Sequence, residues 1–130
     1  MAKKVFLGGT CNESTWRDEL IPDLKINYFN PVVDDWTPEH MAEEVRQREQ
    51  CDFCLYVITP EMSGAYSIAE VVDDSNKRPE KTVFAFVGEA NGFEFSKGQI
   101  KSLNQVGKMV EANGGAFINF GEVANYLNTH

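Results

Sequence analysis

The sequence alternates short runs of β-branched and aromatic residues with longer segments whose apolar residues recur every three or four positions. The short runs predict strands at residues 4–7, 25–30, 53–58, 81–87 and 116–118. The longer segments predict helices that begin near residues 15, 37, 66, 97 and 122. This alternation is typical of βα units that build a parallel sheet.

The most apolar run, Phe-Cys-Leu-Tyr-Val-Ile at residues 53–58, has no polar alternation. Such a run is expected for a central parallel strand that helices cover on both faces. Five strands with right-handed crossovers most simply form a flavodoxin-like three-layer sandwich, an α/β fold with a five-stranded parallel sheet of order 2-1-3-4-5. Because the sequence has no repeat or linker, its 130 residues suit one domain spanning residues 1–130.

The charge balance narrows the possible partners. Twenty acidic residues outnumber twelve basic ones and give a net charge of -8. This charge repels nucleic acids and anionic membranes, and the basic residues form no patch. No apolar run approaches the roughly 18 residues needed to cross a bilayer. We therefore expect a cytoplasmic protein that binds neither nucleic acid nor membrane and keeps its three cysteines as free thiols.

The predicted topology also indicates where a ligand would bind. In doubly wound sheets ligands lie outside the carboxyl ends of the strands where strand order reverses, here between the first and third strands. The connections at that point are residues 8–12, 30–36 and 59–70. The segment Gly8-Gly9-Thr10 can bring backbone amides close to a ligand, because glycine has no side chain. It can equally be a tight turn, since it matches neither a phosphate-binding loop nor the three-glycine dinucleotide fingerprint.

Acidic residues near these connections are the main candidates for chemistry. Glu70 falls in the first turns of a predicted helix beside the binding edge, between apolar neighbours. A carboxylate in that position can attack an electrophilic sugar carbon, or it can be a solvated helix charge. Glu39, Glu43 and Glu44 lie on the preceding helix, where one of them can supply a second carboxyl group for acid or base catalysis while the others face water.

Metal and redox chemistry find little support. The segment Cys51-Asp52-Phe53-Cys54 has the CxxC spacing, but it runs from a helix end into a buried strand and forms only half of a zinc site. Neither His40 nor His130 completes it. The acidic pairs Asp34-Asp35 and Asp73-Asp74 are interpreted as a turn and a solvated helix face. We expect packing thiols, no metal and no cofactor.

Five segments together resemble a known family: Lys4-Val-Phe-Leu-Gly-Gly-Thr-Cys-Asn12, Trp16-Arg17, Phe29-Asn30-Pro31, Tyr56-Val-Ile-Thr59 and Tyr66-Ser-Ile-Ala-Glu70-Val-Val. Over roughly the first 90 residues the chain resembles the short, divergent branch of the nucleoside 2-deoxyribosyltransferase-like family. The resemblance implies a flavodoxin-like fold and cleavage or transfer at the N-glycosidic bond of a (deoxy)nucleoside or nucleotide. It also implies that Glu70 is the nucleophile.

The resemblance carries further residues over. It implies that Glu44 handles the proton of the base, where the family has an aspartate. Phe6 stands where the family has a tyrosine that helps to position the nucleophile. Gly64 stands where the family has a polar residue that holds a sugar or phosphate hydroxyl, with Ser63 and Ser67 as possible substitutes.

The predicted substrate-binding residues share a place in the three connections at the binding edge. They are Gly8, Gly9, Thr10, Cys11, Asn30, Trp36, Ser63, Gly64 and Ser67. Trp36 or Phe6 can stack on the base. Arg17 is the nearest basic residue, so a 5′-phosphate would rely mainly on backbone amides and hydroxyls.

The resemblance also implies a homodimer or larger homo-oligomer, in which a neighbouring subunit completes each site. Aromatic residues around Phe93, Phe95 and Phe120 could cover that interface or belong to the core. A second function stays open: a non-catalytic nucleotide-binding or signalling module on the same fold. The sequence leaves the base, the sugar and the need for a phosphate undetermined.

Overall fold

The computed structural model describes residues 2–11, 14–33 and 36–130, in which parallel strands lie between two layers of helices. The strands are β1 (Lys4–Gly9), β2 (Asn27–Phe29), β3 (Phe53–Ile58), β4 (Thr82–Phe86), β5 (Glu89–Ala90), β6 (Phe93–Glu94) and β7 (Ala116–Phe117). The α-helices are α1 (Trp16–Leu20), α2 (Pro38–Gln50), α3 (Tyr66–Lys77), α4 (Lys97–Ala112) and α5 (Phe120–Thr129). Short 3-10 turns follow at Ile21–Asp23 and Pro79–Lys81.

The main sheet has five parallel strands in the order β2-β1-β3-β4-β7. This confirms the predicted flavodoxin-like arrangement, because β7 is the fifth strand of the prediction. The difference is a separate antiparallel hairpin of β5 and β6, which is not among the five predicted strands. Asn91 and Gly92 form its two-residue turn with positive φ values of 51° and 85°. Asn-Gly is a strong hairpin signal for that reason, so the hairpin was predictable.

The core divides into two layers because side chains alternate across each strand. On one face, Leu55 and Val57 pack with residues of α1 and α5, including Trp16 and Leu127. On the other face, Tyr56 and its strand neighbours pack with residues of α3 and α4. Every residue of β3 is buried, as predicted for a central strand with helices on both sides.

Helix α2 is attached differently from the other long helices. Its start is well determined: Thr37 accepts a hydrogen bond from the His40 backbone amide at 3.2 Å, and Pro38 occupies the first helical position. Along the helix itself, however, the buried residue is Arg48, whereas Met41 and Val45 are exposed. A charged side chain therefore anchors α2 to the domain, whereas apolar side chains anchor α3 and α4.

Several smaller expectations can be compared with the structure. Asp52 accepts a hydrogen bond from the Lys4 backbone amide at 2.9 Å, at the amino end of the sheet.

The turn predicted at Asp34 and Asp35, and Asn12 of the first connection, lie outside the described residues. In the described part of the chain, no helix is both long enough and apolar enough to cross a membrane.

The end of β1 requires glycine at position 9. Gly9 has a φ of +113°, and a Cβ there would lie 2.1 Å from the Val57 carbonyl oxygen. The next residue continues the contact, since the Thr10 amide donates to the same carbonyl at 2.9 Å. β1 and β3 thus lie in close contact at the edge where a ligand is expected.

We predict that Gly9→Ala lowers the free energy of unfolding by about 2 kcal/mol or more, because it combines an unfavourable φ with a backbone clash. Gly88→Ala is the matched control, since its added Cβ meets no atom within 4 Å. Denaturant unfolding of both variants measures the difference. Equal stability of the two variants would contradict the close approach.

Candidate active site

A cleft of about 350 Å³ opens at the carboxyl ends of β1 and β3, at the edge that the topology predicts. Seven of the residues predicted for catalysis or binding line it: Glu70, Glu44, Gly8, Gly9, Cys11, Trp36 and Ser67. The other lining residues are Arg17, Pro31, Val32, Val33 and Tyr66. The cleft therefore combines two carboxyl groups with a largely apolar rim.

The remaining predicted residues have other positions. Thr10 and Gly64 line a smaller pocket of about 140 Å³, which shares Gly9, Cys11 and Ser67 with the cleft. The Thr10 hydroxyl oxygen accepts a hydrogen bond from the Thr59 amide at 2.9 Å and so connects the first and third connections.

Asn30 and Ser63 line neither the cleft nor the smaller pocket. The side-chain oxygen of Asn30 accepts a hydrogen bond from the Val32 amide at 3.1 Å, which shapes the turn after β2. In this geometry Asn30 stabilises the backbone of the cleft rim and does not line the cleft itself.

Glu70 lies on the cleft wall in the first turns of α3, with only 6% of its surface exposed. Burial raises its pKa from an ordinary 4.5 to about 8, helped by hydrogen bonding to Glu44 and by the negative charge of Glu44. The Arg48 guanidinium, 3.6 Å from Glu70 Oε2, acts in the opposite direction. The interpretation of Glu70 as a solvated helix charge is therefore excluded by its burial.

A buried ion-pair network lies behind the two glutamates. Arg48 donates to both carboxylate oxygens of Asp74, from Nη2 to Oδ1 at 2.8 Å and from Nε to Oδ2 at 3.2 Å. Asp74 also accepts hydrogen bonds from the Tyr56 hydroxyl and from Arg78. The prediction of a solvated face for Asp73-Asp74 is wrong for Asp74, which is fully buried; Asp73 is partly exposed and pairs with Arg48 at 3.1 Å.

The network holds Arg48 and Tyr56 each in its protonated form. Burial alone would lower the pKa of Arg48, but the hydrogen bond and charge of Asp74 raise it above its ordinary value. Burial and the adjacent Asp74 raise the pKa of Tyr56 far above 10. At physiological pH Arg48 is therefore a cation and Tyr56 a neutral hydrogen-bond donor.

The sequence patterns did not predict the roles of Arg48, Tyr56 and Asp74, although part of the signal was present. Arg48 follows Glu44 by four residues, and Asp74 follows Glu70 by four residues. Residues four apart share one face of a helix, so Arg48 lies on the face of α2 that carries Glu44, and Asp74 lies on the face of α3 that carries Glu70. What the spacing does not contain is the pairing of Arg48 with Asp74 across the two helices.

Arg17 has a structural role in this geometry. It is buried in α1 and donates to the Leu7 carbonyl oxygen at 2.9 and 3.0 Å and to the Thr10 carbonyl oxygen at 2.8 Å. Burial lowers its pKa, although the neighbouring Cys11 opposes this effect. Its guanidinium thus holds the connection after β1. Because it already binds these backbone carbonyl oxygens, it is not free to bind a phosphate.

The two aromatic candidates for base stacking, Phe6 and Trp36, differ in their exposure. Phe6 is completely buried and stacks on Phe29 with ring centroids 6.0 Å apart, so it belongs to the core. Trp36 lines the cleft with 54% of its surface exposed. Tyr66, which was not predicted as a site residue, lies on the same rim and is 65% exposed. Trp36 and Tyr66 are therefore the aromatic side chains that are exposed at this cleft.

The CxxC segment forms part of the packing. Cys51 and Cys54 are both buried and free. The Cys54 thiol donates to the Arg48 carbonyl oxygen at 3.1 Å, and burial raises its pKa to about 12. Residues 2–11, 14–33 and 36–130 contain no group of three metal-ligating side chains.

We predict that Glu70→Gln stabilises the protein near pH 8. A carboxyl group with a higher pKa in the folded state binds more protons when folded, so the contribution of Glu70 to stability is greatest below pH 4.5 and declines as the pH rises to about 8. Glutamine removes this decline, with a gain on the order of 1 kcal/mol for each unit of the pKa difference.

Denaturant unfolding between pH 4 and 9 measures this effect. The parent should lose stability across the window and Glu70→Gln should lose less. Glu49→Gln, an exposed residue of α2, is the control and should follow the parent. Parallel curves for all three proteins would contradict the raised pKa of Glu70.

The comparisons with known proteins agree with this geometry. A family model described as nucleoside 2-deoxyribosyltransferase like matches residues 2–86. That segment contains β1 to β4, α2 and α3, and with them both glutamates of the cleft. No curated protein and no solved structure shows significant similarity to the chain. Since the match covers well over half of the sequence and all of the cleft, this chain belongs to the nucleoside 2-deoxyribosyltransferase-like family.

Proposed function

We propose that the protein cleaves the N-glycosidic bond of a (deoxy)nucleoside or nucleotide with Glu70 as nucleophile. The observation that carries the proposal is the buried carboxyl group of Glu70, which faces Glu44 in a cleft with an apolar rim. Membership of the family supports the same class of reaction. The sugar then passes to a second base, which is transfer, or to water, which is hydrolysis.

The reaction balances with these two residues alone. A Glu70 carboxylate oxygen attacks the anomeric carbon, and the bond between that carbon and the base nitrogen breaks with its electron pair going to the base. A proton from Glu44 neutralises the departing base. The glycosyl ester on Glu70 is released when a second base or a water molecule attacks the same carbon and gives its proton back to Glu44.

The shared proton supports this division of roles. Hydrogen bonding between Glu70 and Glu44 requires one of the two carboxyl groups to be protonated, and the raised pKa of Glu70 keeps a proton on the pair at neutral pH. When that proton resides on Glu44, Glu70 is an anion and Glu44 is an acid.

The rim supports recognition of a planar base. Trp36 and Tyr66 offer exposed aromatic surface, and Val32 and Val33 extend it. Ser67 and the backbone near Gly9 are available to hydroxyl groups of the sugar. Arg17 is engaged with backbone carbonyls, so a 5′-phosphate would depend on amides and hydroxyls.

We predict that Glu70→Ala reduces base release from a panel of ribo- and deoxynucleosides, and from their 5′-phosphates, by several orders of magnitude, because it removes the covalent route. Mass spectrometry of the parent mixed with substrate should detect a sugar adduct that Glu70→Ala lacks. Glu49→Ala, on the exposed side of α2, is the control.

Glu44→Gln separates the two roles within the same assay. It should retain the adduct and slow base departure, with the smallest defect for bases that leave without protonation. Equal rates for the parent and Glu70→Ala would reject the nucleophile. Binding of a nucleoside by the parent in calorimetry without any turnover would instead favour the non-catalytic nucleotide-binding module.

We also propose a homodimer or larger assembly. Of the aromatic residues expected at the interface, Phe95 is buried and Phe120 packs on Trp16 with ring centroids 6.4 Å apart, so Phe93 alone of the three is exposed. The stronger support comes from α2, where Met41 and Val45 are exposed beside the cleft. Two exposed apolar residues four positions apart form a stripe that a second copy can cover.

We predict that light scattering at micromolar concentration gives at least twice the monomer mass. The double substitution Met41→Glu and Val45→Glu should shift the mass toward the monomer, because a neighbour can no longer cover the stripe without burying charge. Met109→Glu, an exposed residue of α4, is the control. A monomer mass for the parent would reject the assembly.

A further inference from the structure

We infer that Arg48 is a positioning residue, whose guanidinium, fixed by Asp74, lies 3.6 Å from Glu70 Oε2 and holds that carboxylate in place. The inference rests on the proposed function for its kinetic consequence but not for its main test. None of Arg48, Asp74 and Tyr56 lines the cleft, and Glu70 is the cleft residue with which Arg48 forms an ion pair.

The contacts of the three guanidinium nitrogens of Arg48 support this role. Nε and Nη2 are both directed at Asp74, and Nη2 also contacts Asp73 at 3.1 Å, which leaves Nη1 at 3.6 Å from Glu70 Oε2. That separation is a charge contact rather than a hydrogen bond. Arg48 therefore attracts the anion without occupying the lone pair that a nucleophile needs.

The anchor of Arg48 is itself fixed from two sides. The Tyr56 hydroxyl reaches Asp74 from β3, and Arg78 reaches it from the end of α3. Asp74 therefore has little freedom to rotate, and the planar guanidinium that it binds through two hydrogen bonds has a defined orientation. A lysine at position 48 would lack this fork and could not face Asp74 and Glu70 in the same way.

The charges around Glu70 explain why a cation is needed there. Glu44 from α2 and Asp74 from α3 both favour its protonated form, as does burial, while Arg48 from α2 favours the anion. Tyr56 from β3 stays neutral, and Arg17 and Cys11 line the same cleft from the other side. Without Arg48 the nucleophilic anion would become rarer at neutral pH.

The test follows the carboxyl carbons of glutamate by ¹³C NMR during a pH titration without substrate. The resonance that is lost in Glu70→Gln belongs to Glu70. We expect Arg48→Met to raise its midpoint by about one pH unit or more, a roughly tenfold loss of anion. Arg48→Lys, which keeps a charge and is the more conservative change, should raise it by less. Arg46→Met is the control, because Arg46 is exposed on the same helix and pairs with Glu43.

The kinetic arm uses the base-release assay. Arg48→Met should lower kcat about tenfold at neutral pH, and the defect should shrink at alkaline pH as Glu70 loses its proton. A merely structural role would change stability without moving the Glu70 midpoint. If Arg48→Met does not fold, Arg48→Lys decides the question.

The two proposals fail in different ways. An unchanged or lowered Glu70 midpoint in the folded Arg48 variants overturns this inference, whatever the parent catalyses. A raised midpoint in the Arg48 variants, together with a parent that turns over no nucleoside, supports the role of Arg48 toward Glu70 and rejects the glycosidic chemistry.

Discussion

The buried ion pair between Arg48 and Asp74 is the interaction on which the cleft depends. Helix α2 carries Glu44, yet its buried side chain is Arg48, so its position relative to α3 is set by this pair. Removing one partner of such a pair leaves an uncompensated charge and costs roughly 3–5 kcal/mol. The Tyr56 hydrogen bond extends the same constraint to the central strand. Helices α2 and α3 and strand β3 are thereby held in one arrangement.

This constraint brings two carboxyl groups together at a cost in stability. Folding buries Glu70 and sets it against Glu44, which is unfavourable for the ionised form. The cationic Arg48 offsets part of that cost. A protein selected for stability alone would have little reason to keep both glutamates at this position, so the arrangement is what a functional site predicts.

Helix α2 joins the cleft to the outer surface. One side of the helix carries Glu44 and Arg48, and Met41 and Val45 are exposed to solvent. In the assembly that we propose, a second copy that covers Met41 and Val45 would contact the helix that carries Glu44. The Arg48–Asp74 ion pair would then keep that helix in place when the second copy binds.

Sequence patterns by themselves determined the α/β class, the central strand at residues 53–58, the edge at which the cleft opens, and Glu70 and Glu44 as its acidic residues. These features depend on local periodicity, on topological rules and on the resemblance, which need no knowledge of side-chain packing. The tertiary structure decided the burial of Asp74, the engagement of Arg17, the place of Phe6 in the core and the turning of Thr10 and Asn30 to backbone partners. Arg48 and Asp74 are 26 positions apart, and their pairing exists only once α2 and α3 lie side by side. A charged residue on a helix looks the same in sequence whether it faces water or a buried partner, and packing alone makes that choice.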